Sequence, residues 1–108
     1  MSYLQTNLTF IIRRTRINKE GEAPIFGRVS NSTERAEFAT GLNIRPDVWD
    51  AKANKAIGSH RSSKLVNEQL QQWQMLFMEH CRDLRQLGKP LLVTDLRDRM
   101  VGMKPSPF

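Results

Sequence analysis

Pro24-Ile25-Phe26-Gly27-Arg28-Val29-Ser30-Asn31-Ser32-Thr33-Glu34-Arg35-Ala36-Glu37-Phe38-Ala39-Thr40 holds two β-type runs joined by three polar residues. The runs, residues 24–30 and 34–40, are rich in the β-branched and aromatic side chains that fit a pleated surface. A link as short as Asn31-Ser32-Thr33 makes them antiparallel neighbours. On the amino-terminal side, Asn18-Lys19-Glu20-Gly21-Glu22-Ala23-Pro24 has the polar, glycine- and proline-bearing chemistry of a chain reversal. Before it, Leu8-Thr9-Phe10-Ile11-Ile12-Arg13-Arg14 supplies a third run, so the segment predicts a three-stranded antiparallel meander.

Alternate strand residues project to opposite sides, so the two faces can be sorted. Phe10, Ile12, Ile25, Val29, Ala36 and Phe38 share the candidate core face, with Gly27 among them. The other face collects Thr9, Ile11, Arg13, Thr15, Phe26, Arg28, Ser30, Arg35 and Glu37, and each strand presents it with an arginine. Ile11 and Phe26 are out of place on a polar face. They pack under a loop, touch thymine methyls, or mark a strand one residue out of phase, an error that would exchange its two faces.

Beyond Thr40-Gly41, Leu42-Asn43-Ile44 predicts a short fourth extended piece before Pro46, and Trp49 a plug folded back into the core. Residues 51–59 show no period and read as an irregular connection. From about residue 62 to 87 the spacing becomes helical, with Val66, Leu70, Trp73, Phe77, Cys81 and Leu84 on one side. Ser62 or Ser63 is placed to cap this helix, Arg82 and Arg85 suit its negative end, and Gly88 and Pro90 stop it. Thr94 is placed to cap a shorter helix over about 94–101 through Leu96, Met100 and Val101. Strands of about six residues cannot cover a helix of about 25, given rises of roughly 3.3 and 1.5 Å per residue. Part of the long helix must meet something else: the short helix folding back is the nearest candidate, and a neighbouring domain or a second chain is the next. The fold class expected is α+β: a three-stranded antiparallel sheet packed on one long C-terminal helix plus a short one.

The chain has 108 residues, room for one modest core. Its 17 Lys and Arg against 11 Asp and Glu give a formal charge of +6, which favours polyanionic partners. The excess is spread over both halves, but no acid precedes Glu20, while Arg13, Arg14, Arg16 and Lys19 do. A single cysteine, Cys81, excludes an internal disulfide, and no apolar run is long enough for a signal peptide or membrane span. A reducing cytosolic setting fits best, and no membrane partner is expected.

The succession Ala23-Pro24-Ile25-Phe26-Gly27-Arg28-Val29, then Arg35-Ala36-Glu37-Phe38-Ala39-Thr40-Gly41, then Ile44-Arg45-Pro46-Asp47-Val48-Trp49-Asp50 resembles the amino-terminal arm-type DNA-binding domain of tyrosine recombinases. It looks most like the branch in integrases of Bacteroidetes phages and conjugative or mobilisable elements. The resemblance covers about residues 8–101, with the sheet over 8–45, residues 1–7 as a flexible lead-in and 102–108 as the start of a linker. It implies sequence-specific binding of double-stranded DNA at arm-type sites, with the sheet in the major groove and a helix behind it. It also implies core-binding and catalytic domains in the parent integrase, expected to lie outside this chain, and a bacterial, nucleoid-associated location in the cytoplasm. Gly27 stands where such domains commonly carry a larger apolar residue.

Arginine suits groove reading because its planar fork pairs bidentately with guanine O6 and N7 or with a phosphate. Arg13, Arg28 and Arg35 are the candidate groove residues. Arg14, Arg16 and Lys19, at a strand end and loop, are candidate phosphate contacts, which set position without reading sequence. Neutralising about four phosphates predicts a roughly hundredfold loss of affinity between 50 and 200 mM salt. Each of these cations also has the plainer reading of a solvated surface charge.

No enzyme constellation stands out. His80 and Cys81 diverge by about 100° on the helix, poor geometry for a shared metal. Tyr3, the only tyrosine, sits in the lead-in, and the glycines make no phosphate-binding loop. A non-catalytic chain without cofactor or metal is expected. Two other classes remain open: a protein–protein or oligomerisation module using Met75, Leu76 and Met78 of the long helix, and a single-strand or RNA binder stacking bases on Phe26.

Overall fold

The computed structural model describes residues 6–58 and 61–102. Strands β1 (Asn7–Ile12), β2 (Ala23–Ser30) and β3 (Arg35–Ile44) form an antiparallel sheet in the order β1-β2-β3. A two-stranded ribbon, β4 (Trp49–Asp50) and β5 (Lys55–Ala56), leads to the helices α1 (Arg61–Gln86) and α2 (Val93–Gly102), and the whole is an α+β fold. The chain positions expected for the lead-in and the linker fall largely on residues 1–5 and 103–108, outside the described residues, as does Tyr3.

The register is Phe10↔Gly27↔Phe38 through the middle of the sheet. Phe10, Ile25, Val29, Ala36 and Phe38 are buried on the inner face as expected, Ile12 packs against them, and Leu8 joins them. The Phe38 ring meets Trp73 of α1 with centroids 4.8 Å apart, so α1 lies on this face. The side of α1 picked out by spacing, Val66, Leu70, Trp73, Phe77, Cys81 and Leu84, is buried throughout, and Trp49 plugs the core beside it.

Three sequence expectations are corrected. Leu42-Asn43-Ile44 is no separate strand: it continues β3 across an irregularity at Thr40-Gly41, and the ladder resumes at Ile25↔Leu42. Thr40 Oγ1 donates to the Ile25 carbonyl at 2.7 Å and accepts from the Leu42 N–H, while Gly41 adopts a φ of +81°. The insertion is two residues long, so the inward phase survives and Ile44 is buried. The stretch after Trp49 is no irregular connection either, because Asp50 Oδ1 accepts from the Lys52 and Ala53 amides and turns the chain into β5.

The third correction concerns the helix starts. α1 begins at Arg61, so Ser62 and Ser63 lie inside its first turn; the buried Ser63 hydroxyl donates to the Ile57 carbonyl and ties the helix to the ribbon. α2 begins at Val93, which places Thr94 inside it and not at its cap. The side of α2 that enters the core is Val93, Leu96 and Met100, each at 0% exposure, while Val101 is exposed.

Gly88 (φ +71°) closes α1 as expected, its N–H donating to Arg85 and that of Lys89 to Leu84, the paired bonds of a left-handed helix stop. α2 then folds back against α1 and reaches β2 and β3, so it is the partner that the length of α1 required. No helix among the described residues is long and apolar enough to cross a membrane.

Candidate nucleic-acid interface

With α1 packed on the inner face, the side chains of the outer face are left half-buried or exposed. They form cross-strand rows: Asn7, Ser30 and Arg35; then Thr9, Arg28 and Glu37; then Ile11, Phe26 and Ala39. β1 ends at Ile12, but Arg13 still donates its backbone N–H to the Pro24 carbonyl at 3.1 Å, so its side chain keeps the outward phase. Thr15 does not: it lies in a tight turn over Arg14–Arg16, where the chain has left the strand.

The middle of the face is an ion cluster centred on Glu37. Its Oε2 accepts from Arg28 Nε at 3.1 Å and Nη2 at 2.8 Å, and its Oε1 accepts from Arg13 Nη2. The Arg13 guanidinium also lies over the Phe26 ring, 4.8 Å from its centroid, a cation–π contact. Phe26 is therefore in phase with the arginines and supports one of them. Arg35 stands in the next row, diagonal to Arg28 and exposed.

The remaining candidates sit at one end of the sheet. Arg14 and Arg16 are exposed in the turn that follows β1. Lys19 is exposed in a loop whose shape is set by Asn18, which accepts through Oδ1 from the Glu20 and Glu22 amides. None of Arg14, Arg16, Lys19 and Arg35 forms an ion pair among the described residues. The structure thus brings Arg13 and Arg28 together, sets Arg35 beside them, and leaves the other three as a fringe.

Sequence reasoning put Glu37 on this face but missed its role. The β2–β3 link is residues 31–34, one longer than expected, because Asn31 donates to the Glu34 carbonyl and its Oδ1 accepts from the Thr33 and Glu34 amides. Starting β3 at Glu34 would have set Ala36 opposite Arg28; the true start at Arg35 sets Glu37 there. Hydrogen-bonding chemistry at Asn31 was the available signal.

Elsewhere, Met75 and Met78 are exposed on α1 and Leu76 packs partly against the core. His80 and Cys81 are both buried, and burial pushes the Cys81 thiol up, partly opposed by Arg85. Among the described residues no three His, Cys, Asp or Glu side chains are grouped to hold a metal ion. A family model described as Arm DNA-binding domain matches residues 10–96, from the first strand into the second helix. No curated protein and no solved structure matches the chain.

Proposed function

The chain belongs to the arm DNA-binding domain family, a DNA-binding and not a catalytic module, and on that premise we propose that it reads arm-type sites through the outer face of β1–β3 laid in the major groove. The observation that carries this reading is the convergence of Arg13, Arg28 and Arg35 on the sheet face opposite the helices. Three strands spaced by about 4.8 Å span about 10 Å, within a groove about 12 Å wide. Arg14, Arg16 and Lys19, gathered at one end, are suited to the flanking phosphates.

The parent protein in this reading is a tyrosine recombinase of a bacterial mobile element, acting at the nucleoid. Its core-binding and catalytic domains are the partners of this module, and tethering to them raises the effective concentration of a weak arm contact. The test is a titration of the chain with duplexes selected from a randomised library, followed through backbone amide shifts. Shifts confined to β1–β3 and the Arg14–Arg16 turn are expected, together with loss of affinity in the Arg28→Ala, Arg35→Ala double variant. Shifts confined to α1, or unchanged binding by the double variant, would overturn the assignment.

A further inference from the structure

Glu37 places a negative charge in the middle of the surface that the reading above turns towards a polyanion. For affinity alone this is unfavourable, since it cancels one of the cations that would release counterions from the duplex. Yet both of its oxygens are engaged, Oε1 by Arg13 and Oε2 by the Nε–Nη2 side of Arg28. Its side chain is 25% exposed, and those of Arg13 and Arg28 are 38% and 28% exposed, so the cluster is partly shielded from water without being sealed from a ligand. Arg13 is fixed a second time by the Phe26 ring.

We propose that Glu37 is a positioning residue that aims Arg13 and Arg28 before DNA arrives and thereby gives the interface discrimination between sites at the expense of unspecific attraction. This rests on the groove reading of the outer face. Arginine side chains have many rotamers, and ordering them at the moment of binding weakens the complex; ordering them beforehand removes that loss. Arg28 Nη1 has no partner among the described residues, so the end of its guanidinium remains available for guanine O6 and N7 while its Nε side is held. A free arginine finds a phosphate on any duplex. One held by a carboxylate gains most where a base edge meets it in the held direction.

The experiment compares the chain with its Glu37→Gln and Glu37→Ala variants on two duplexes: one selected by the unaltered chain from a randomised library, and a scramble of it. Both variants should bind the scramble more tightly, with a salt slope steeper by about 0.9, the increment expected for one more neutralised phosphate. The preference for the selected duplex should fall about tenfold, within what one well-placed base contact is worth. In an Arg13→Ala, Arg28→Ala background the same Glu37 changes should have little effect on the preference. An unchanged preference in both variants overturns the proposal while leaving the groove reading intact. So does equal weakening on both duplexes with a lowered melting point, the signature of a merely structural carboxylate. If the unaltered chain selects no duplex at all, the groove reading fails and this inference fails with it.

Discussion

A Cβ at Gly27 would overlap the ring of Phe38, its cross-strand partner. The ring cannot simply move aside, because it is buried against Trp73 of α1. Gly27 is therefore a packing device: it lets one aromatic ring lie across the central strand. Gly27→Ala should cost about 1–3 kcal/mol through overpacking, read as a lower urea midpoint at unchanged slope. Shortening the ring with Phe38→Leu should make the added methyl less costly, and if the two changes simply add, the overlap is not the cause. Cys81 carries a second prediction at this scale. Burial raises its thiol above the ordinary value of 9.0, with Arg85 opposing. The unfolded chain then loses this proton first, so the stabilising contribution is complete below about pH 9 and declines as pH rises further towards the raised folded value. Native protein at pH 8 should accordingly react with iodoacetamide far more slowly than protein in urea, and equal rates would show that the site opens freely.

Three side-chain amides tie the elements together where no strand is available to do so. Asn54 donates to the Phe10 carbonyl and accepts from its N–H at 2.7 Å, so it closes the outer edge of β1 as a strand would. Asn67 of α1 does the same for Ala56 of β5, with both bonds at 2.9 Å, and Gln74 donates to the Leu8 carbonyl at 2.8 Å. Asn54 is also the residue at φ +60°, a conformation asparagine tolerates better than most. Asn54→Gly keeps that backbone and removes only the amide. It should cost about 1–3 kcal/mol, the penalty for leaving polar groups unpaired, and should speed hydrogen exchange at the Phe10 amide more than at Ile25. If Phe10 exchange is unaffected, water replaces the amide at no loss. These ties explain which elements could be read from sequence. The period of α1 runs through 26 residues and signals itself repeatedly. β4 and β5 have two residues each, too few to show alternation, and what holds them in place are single side-chain bonds, Asn54 to Phe10 and Asn67 to Ala56, which carry no periodic signal.

At the scale of the whole molecule, the division into a helix-covered face and a cationic face follows from period-2 alternation, which is why Arg13, Arg28 and Arg35 could be assigned to one side from sequence. What alternation cannot supply is the register between strands, and the pairing of Arg28 with Glu37 depends on the four-residue link made by Asn31. That pairing divides the basic residues into two kinds. Arg13 and Arg28 share one carboxylate, whereas Arg14, Arg16, Lys19 and Arg35 have no ion pair among the described residues and keep their full charge outward. In duplex binding the two kinds should separate by salt dependence. Removing an unpaired cation at the fringe, as in Arg14→Ala or Arg16→Ala, should weaken selected and scrambled duplexes alike and make the salt slope shallower by about 0.9 for each phosphate that is no longer neutralised. Removing Arg28 should change the slope less if its held guanidinium meets a base edge and not a phosphate, and should then fall mainly on the selected duplex, by about 1–3 kcal/mol for a guanine contact. Slopes measured between 50 and 200 mM salt for the three single variants decide the matter: identical slope changes for Arg28 and Arg14 would mean that the carboxylate leaves Arg28 as free to meet phosphate as any surface arginine.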